Sequence, residues 1–286
     1  MSGAKQMLDL VSAHEPLFRL AAFAGVLAVM ATLETVIPRR QSATSRTRRW
    51  TTNLALAASG ALLLRFGMPL LASGAALEAE RRGFGLFHWA AAPYAVAFLL
   101  SLLALDLLVY WQHVLFHKTG FLWRLHRVHH ADPHVDATTG IRFHPFEILV
   151  SMGIKIAAVT ALGAPAAAVI LFEVVLNATA MFNHSNVRIA EWADRLLRPF
   201  IVTPDMHRVH HSVYRDEHNA NFGFSISLWD RLFGTYLAAP RDGHIAMRLG
   251  LAEYPAPMPA QFGWSLINPF SGNTFPDEPK RRERTI

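Results

Sequence analysis

Cysteine is absent from this 286-residue chain, and charged residues make up only 17% of it, against about 25% in an ordinary soluble domain. The absence of cysteine excludes a disulfide scaffold, a thiolate zinc site, a cysteine nucleophile and a cysteine-ligated iron–sulfur cluster. The scarcity of charge argues against a simple cytosolic globule, and a hydrophobic content of 52% excludes a disordered chain. What the chain holds in excess is histidine, with 15 copies.

Four apolar runs account for the low charge. They cover residues 20–37, 54–77, 93–116 and 148–182. Each is long enough for a membrane-spanning helix, which needs about 20 residues, although Arg65 near the middle of the second run would be costly there. The runs therefore predict a multi-pass integral membrane protein.

The fourth run predicts a helical hairpin. It is too long for a single crossing, and Gly163-Ala164-Pro165 near its middle breaks a helix. Its only charged residues are Lys155 and Glu173. A hairpin enters and leaves the membrane on the same side, so the segments before and after it would lie on that side together.

Arginines between the first two runs orient the predicted bundle. That loop holds five arginines and no acid, which marks it as cytoplasmic by the positive-inside rule. The five are Arg39, Arg40, Arg46, Arg48 and Arg49. A loop around 78–82 then faces outward, segments 118–147 and 183–286 are cytoplasmic, and the charged end, 276–286, is a solvated tail.

These runs divide the chain into three predicted parts. Residues 1–92 form N-terminal transmembrane helices, 93–250 form a histidine-rich domain that includes the membrane hairpin 148–182, and 251–286 form a C-terminal tail. The predicted fold class is all-α. It is an integral membrane helical bundle with a cytoplasmic helical cap, which carries the histidine-rich segments.

The histidines cluster in three short segments. The sequence His-Arg-Val-His-His occurs twice, at 126–130 and 207–211, and His-Val-Leu-Phe-His occupies 113–117. Residues at i, i+3 and i+4 lie on one face of a helix, so each segment presents its imidazoles together. Eight imidazoles from three helices are too many for one metal ion and suit two, although imidazole alone does not name the metal. The eight are His113, His117, His126, His129, His130, His207, His210 and His211.

Asp106 lies on the same predicted helix stripe as His113 and His117, at i, i+7 and i+11. A carboxylate inside a membrane span is a candidate functional group. Two interpretations remain open. Asp106 accepts a hydrogen bond from a ligand histidine, or it forms a buried pair with Arg65 or another polar group.

The spacing of the three histidine segments resembles that of the fatty acid hydroxylase and sterol desaturase superfamily. Three further segments are similar to those that follow the second and third histidine boxes of that family. They are 132–147 (DPHVDATTGIRFHPFE), 219–223 (NANFG) and 229–236 (WDRLFGTY). The resemblance covers roughly residues 95–240. The short interval between His117 and His126 favours the hydroxylase branch over the membrane acyl desaturases.

The resemblance implies a non-haem enzyme with two iron ions, which uses O2 to hydroxylate a C–H bond of a lipid such as a fatty acyl chain or a sterol. It implies electrons from an NAD(P)H-linked donor, and the lack of a Gly-x-Gly-x-x-Gly fingerprint makes that donor a separate reductase, ferredoxin or cytochrome b5-like protein. It adds His144 and His184 to the eight metal ligands. Asp106, His134, His218 and Asn221 would contact ligands rather than bind metal.

Other functions remain as alternatives. On the same scaffold the chain could be a desaturase or an ether-lipid monooxygenase. A metal transporter would place its ligands near midspan on several helices, and a haem-binding electron carrier would place one or two histidines inside paired spans. The basic surplus of +6 favours an anionic membrane surface over nucleic acid as a partner, because basic residues flank the apolar runs.

Overall fold

The computed structural model describes residues 14–41 and 45–271. Over these residues the chain is helical and forms isolated bridges instead of strands. In chain order the α-helices are α1 (Glu15–Val36), α2 (Arg46–Gly67), α3 (Ala72–Arg82), α4 (Leu86–Trp89), α5 (Tyr94–Lys118), α6 (Gly120–His130), α7 (Pro145–Leu162), α8 (Ala166–Asn183), α9 (Glu191–Leu197), α10 (Pro204–His210), α11 (Arg215–His218), α12 (Leu228–Leu232), α13 (Gly243–Ala246) and α14 (Phe262–Ile267). Short 3-10 helices occupy Ala137–Ile141, Met258–Ala260 and Asn268–Phe270.

Five helical segments among these residues are long and apolar enough to cross a membrane. They are Glu15–Val36, Arg46–Trp89, Tyr94–Lys118, Pro145–Leu162 and Ala166–Asn183. The prediction of an all-α membrane bundle is therefore confirmed. The apolar runs that lower the charge content of the chain are the helices of this bundle.

The second apolar run differs from the prediction. We expected one helix over 54–77 and a loop around 78–82. Both expectations are wrong, because the run is divided between two helices and residues 78–82 are helical. Helix α2 ends at Gly67, the backbone is extended at Met68 (φ −124°, ψ 124°), and α3 begins at Ala72. Pro69 causes the break, because proline lacks a backbone N–H and disfavours a helical residue before it. Arg65 consequently lies exposed in the last turn of α2 and not at midspan.

The hairpin has its break where the sequence predicted it. Helices α7 and α8 flank Gly163, which has the left-handed backbone that glycine favours (φ +64°). A Cβ on Gly163 would lie 2.6 Å from the carbonyl oxygen of Phe84, and one on Gly85 would lie 2.3 Å from the Gly163 nitrogen. The turn between α7 and α8 is thus seated directly on the turn between α3 and α4.

A core of small and branched side chains joins the hairpin to the rest of the bundle. Helix α3 packs against both α7 and α8, and α5 closes the other side. The alanines of α3 let the backbones approach closely. The buried members are Ala72, Ala76, Leu105, Val159, Ala164, Ala166, Val169 and Phe172. This core holds α5, α7 and α8 in the register that positions their ends.

The described part of the predicted C-terminal tail is folded against the histidine-rich region. Arg142 donates to the carbonyl oxygen of Pro259 at 2.7 Å and to the hydroxyl of Ser265 at 3.0 Å. Arg127 donates to the side chain of Asn268 at 2.9 Å. The charged run predicted at 276–286 lies outside the described residues.

Candidate metal centre

Five histidines form the first of two buried groups. His113 and His117 come from the end of α5, His126 and His130 from α6, and His210 from α10. One ring nitrogen of each lies within 4.8 Å of the others. The i, i+4 spacing on α5 and on α6 turns each pair toward the same point.

Four histidines form the second group. His129 comes from α6, His184 caps the C-terminus of α8, His207 lies on α10 and His211 follows it. Their ring nitrogens also lie within 4.8 Å of one another. Each His-Arg-Val-His-His segment therefore supplies both groups. The hairpin also contributes a residue to the second group, because α8 ends where His184 lies beside His129 of α6.

Hydrogen bonds fix the tautomer of several of these rings. The Nδ1 atoms of His113, His129, His184 and His210 donate to backbone carbonyl oxygens, at 2.8, 3.2, 2.7 and 2.8 Å. A carbonyl oxygen only accepts, so each of these Nδ1 atoms carries the hydrogen. In the neutral ring the lone pair is then on Nε2, which is the arrangement a metal ligand needs.

Two of these lone pairs face each other. The Nε2 atoms of His129 and His184 lie 3.0 Å apart, and neither can donate to the other. Protonation does not relieve the contact at neutral pH, because burial lowers the pKa of His184 to about 3 and that of His129 well below its ordinary value. Two acceptor nitrogens at this separation require a cation close to both.

Other ring nitrogens in the centre are buried without a hydrogen-bond partner. They include Nε2 of His113, His126 and His210, Nδ1 of His117 and His207, and both nitrogens of His211. An unpaired buried polar atom costs about 1–3 kcal/mol, and so many at one place are not explained by protein packing. The residues therefore fit two metal ions that imidazole favours, a class that includes iron.

Glu147 supports the first group. Its Oε1 accepts from Nδ1 of His126 at 2.6 Å, and both side chains are buried. This places the lone pair of His126 on Nε2 as well. We did not predict Glu147 as a site residue, although it ends the 132–147 segment that resembles the family.

Asp230 supports the same group through the backbone. It accepts from the N–H groups of Phe222 and Gly223 at 2.7 and 2.8 Å and from the hydroxyl of Thr235 at 2.7 Å. The carbonyl oxygen of Phe222 in turn accepts from His113. Asp230 was also missed as a site residue, and its only sequence signal is the 229–236 segment.

His144 and His134 lie apart from both groups. His144 caps the N-terminus of α7, where its Nδ1 accepts from the N–H of Phe146 at 3.2 Å and its Nε2 donates to the carbonyl oxygen of Leu266 at 3.2 Å. His134 is half-buried beside Arg49, which donates to its backbone carbonyl. Of the ten histidines proposed as ligands, the structure brings together nine.

The remaining predicted residues border the centre in different ways. Asp106 accepts from the indole N–H of Trp229 at 2.8 Å, so it pairs with a polar group that is neither a ligand histidine nor Arg65, in line with the second of the two interpretations. His218 stacks on Trp123 and lies 6.0 Å from the ring of His117. The side chain of Asn221 hydrogen-bonds the backbone of Met206 and Leu237, which connects α10 to the irregular segment before α13.

A cavity of about 680 Å³ opens onto the first group. It lies between α1, α2, α5, α7 and α8 and reaches His113, His126 and Glu147. Its wall is mostly apolar along Phe23, Leu64, Val109, Met152 and Leu176. The size and lining are typical of a site for a small apolar ligand.

The segment that builds this centre matches the model of a known family. Residues 98–235 match the family model described as fatty acid hydroxylase, and this segment contains all nine grouped histidines. Over this segment, which is just under half of the chain, the protein is similar to the fatty acid hydroxylase family. No solved structure matches the chain.

Three curated proteins are similar to about half of this chain. An ornithine lipid hydroxylase of Rhizobium tropici is 30% identical over 52% of this chain and 44% of its own length. A cholesterol 25-hydroxylase of Rattus norvegicus is 26% identical over 55% of this chain and 56% of its own length. An alkylglycerol monooxygenase of Danio rerio is 27% identical over 52% of this chain and 33% of its own length. The chain thus spans between a third and somewhat more than half of these relatives.

Proposed function

We propose that the protein is a membrane-bound lipid hydroxylase with two non-haem iron ions. The observation that carries the proposal is the facing pair of Nε2 lone pairs on His129 and His184, set among nine buried histidines in two groups. The family and the names of its lipid-hydroxylating relatives support the choice of iron and of a lipid.

The nine histidines would hold the two ions, five around one and four around the other. His113, His117, His126, His130 and His210 form the first set, and His129, His184, His207 and His211 the second. The iron pair supplies the redox chemistry that breaks an unactivated C–H bond, which acid–base side chains alone do not provide. His144 is left outside the ligand set because both of its nitrogens bond elsewhere.

The chain itself would orient the ligands, exclude water and admit the lipid. Backbone carbonyls and Glu147 hold the rings in one tautomer. Burial of the histidines keeps bulk water from the centre. The apolar cavity delivers a C–H bond to His113 and His126. In the overall reaction one atom of O2 enters the C–H bond, and the other leaves as water with two electrons and two protons.

The electrons and the orientation belong to the same proposal. We place the histidine centre on the cytoplasmic side, because the five arginines that follow α1, two before α2 and three in its first turn, obey the positive-inside rule in that orientation. A separate reductase, ferredoxin or cytochrome b5-like protein would deliver electrons from NAD(P)H. Of the nine grouped histidines, only His113 and His117 lie on a candidate membrane span, which disfavours a metal transporter. The division into 1–92, 93–250 and 251–286 remains a prediction.

Metal analysis tests the centre. Protein from iron-replete cells, purified in detergent, should contain two iron ions per chain, and the His129→Ala variant should lose metal. The exposed His88 provides a matched control, since His88→Ala removes a histidine outside both groups. Less than one metal ion per wild-type chain would overturn the two-iron proposal.

Lipid analysis tests the reaction. Host lipids from cells with the wild-type protein should include a species heavier by one oxygen atom, and that atom should carry the label when cells grow under isotopically labelled O2. The species should be missing with His129→Ala and present with His88→Ala. An oxygenated lipid that persists with His129→Ala, or that carries no label, would contradict the proposal.

An ether-lipid monooxygenase is the second candidate. The observation that favours it is the similarity to alkylglycerol monooxygenases of three vertebrates. Such an enzyme would use the same centre and cavity, so the test is the product. Loss of an alkylglycerol with release of a fatty aldehyde would support it over hydroxylation of an acyl or sterol carbon.

A further inference from the structure

Four charged side chains meet at one end of the cavity. Oε1 of Glu173 on α8 lies 2.7 Å from Nζ of Lys155 on α7, and its Oε2 lies 2.7 Å from Nη2 of Arg19 on α1. Arg19 also pairs with Glu15 at 2.7 Å. All four line the cavity. Charges on membrane-spanning helices are costly and usually functional, so four from three helices at one place require an explanation.

This charged end is the open end. The side chains of Arg19 and Glu15 are 26% and 22% exposed, whereas His113 and His126 at the other end are 3% and 2% exposed. Along α7, Glu147 beside the histidines and Lys155 at the charged end are about 12 Å apart at the rise of an α-helix. A lipid that enters tail-first therefore reaches the histidines while its polar end stays among the charges.

The four charged side chains also determine which kind of lipid head can bind at this end of the cavity. Arg19 and Lys155 are balanced by Glu15 and Glu173, so the cluster has no net charge. A purely anionic head would lie beside two carboxylates, and a purely cationic head beside two cations. A zwitterionic head offers one group to each sign and makes charge-assisted hydrogen bonds with both. The ammonium of Lys155 has three donors, of which one reaches Glu173.

We propose that Glu15, Arg19, Lys155 and Glu173 bind the zwitterionic polar end of a lipid. The apolar part of that lipid occupies the cavity, and the carbon presented to His113 and His126 lies about 12 Å from the polar end. The statement about this carbon rests on the proposed function. The binding of the polar end does not.

A displacement assay on the full chain tests the binding. An oleoyl lipid with a fluorophore is bound first and then displaced by three lipids with the same oleoyl chain: lysophosphatidylethanolamine, oleic acid and monooleoylglycerol. The zwitterionic lysophosphatidylethanolamine should displace the probe at a concentration about tenfold lower than the other two. Equal displacement by all three, or strongest displacement by oleic acid, would overturn the proposal without the use of any variant.

A double variant tests the residues. Lys155→Met with Glu173→Gln removes one charge of each sign and leaves only Arg19 and Glu15 to bind the head, so the tenfold preference should shrink several-fold while monooleoylglycerol binds as before. The exposed pair Glu78 and Arg82 gives the matched control, because Glu78→Gln with Arg82→Met changes the same charges outside the cavity. An undiminished tenfold preference in the cavity variant would overturn the assignment.

The outcome is separable from the proposed function. The displacement assay requires neither metal nor O2. If no oxygenated lipid is found, the proposed function is wrong, but the preference for a zwitterionic lipid head is unaffected. Conversely, an oxygenated lipid with no head preference would defeat this inference alone. Where a product is found, fragmentation should place the new oxygen on the chain and not on the polar end.

Discussion

Oε1 of Glu147 lies 2.6 Å from Nδ1 of His126, with both groups buried at the boundary between the cavity and the first histidine group. The contact joins the first turn of α7 to α6. It sets the orientation of a ring whose other nitrogen has no protein partner. Glu147 therefore acts on the centre through His126, as a positioning residue.

Replacement of Glu147 should weaken one metal site. Loss of such a hydrogen-bond partner typically lowers metal affinity by about 10- to 100-fold, so Glu147→Ala should release about half of its iron to a chelator at concentrations that leave the wild type loaded. Glu147→Gln should be milder, because its amide oxygen still accepts from His126. Iron retention equal to wild type in Glu147→Ala would contradict this role.

His144→Ala should keep both metal ions. The histidine only caps α7 and bonds Leu266, so the expected effect is a loss of about 1 kcal/mol from the free energy of unfolding. Elemental analysis beside a thermal melt separates the two effects. A variant that lost one ion per chain would return His144 to the ligand set.

Asp230→Asn should destabilise the protein without removing a ligand. Asp230 accepts three hydrogen bonds, and an amide nitrogen in place of one oxygen cannot accept from a backbone N–H. The expected loss is about 1–3 kcal/mol of the free energy of unfolding, measured by thermal denaturation. Thr235→Val removes one of these bonds and the bond between Thr235 and Tyr110 but keeps both backbone N–H bonds to Asp230, so it should cost less. The reverse order of the two variants would be inconsistent with this network.

The metal-free protein should lose stability as the medium becomes acidic. Burial lowers the pKa of His126 and of His184 from 6.5 to about 3. Between these values the unfolded chain binds protons that the folded chain does not, so the free energy of unfolding falls below pH 6.5 by about 1.4 kcal/mol per pH unit for each such histidine. Melting temperatures of chelator-treated protein should therefore drop from pH 7.5 to 5.5. His126→Gln should reduce the slope, and a flat profile would refute the expectation.

Gly163→Ala should disrupt the hairpin. An alanine there would adopt a left-handed backbone that costs about 1–2 kcal/mol, and its Cβ would lie 2.6 Å from the carbonyl oxygen of Phe84. Gly153→Ala on the same hairpin is the matched control, because its Cβ meets nothing within 4 Å. We expect a lower yield of folded protein for the first variant and wild-type behaviour for the second, judged by size-exclusion chromatography in detergent.

The sequence predicts the histidines well because their spacing is local. Positions i, i+3 and i+4 share a helix face wherever the helix lies, so His126, His129 and His130 could be grouped without knowledge of the fold. Glu147 and Asp230 could not be predicted in this way. Glu147 bonds His126, which lies 21 residues away in the sequence. Asp230 acts through Phe222 on His113, which lies 117 residues away.

The charged end of the cavity could be predicted from the sequence only in part. Lys155 and Glu173 are the only charges of the apolar run 148–182, and each lies eight residues from the break at 163–165. That symmetry predicts that they face each other across the hairpin, as they do at 2.7 Å. The contribution of Arg19 from α1 could not be predicted, since nothing local relates it to either residue. The helix break at Pro69, by contrast, could have been predicted from the sequence. We missed it because the apolar run 54–77 is long enough for one helix.

The contacts of Arg142 connect the centre to the order of synthesis. Its carbonyl oxygen holds His129 in place, while its guanidinium is held by Pro259 and Ser265. A segment more than a hundred residues later in the chain therefore supports the residue that holds this ligand. A nascent chain shorter than about 265 residues would carry all nine histidines without these two contacts of the Arg142 guanidinium.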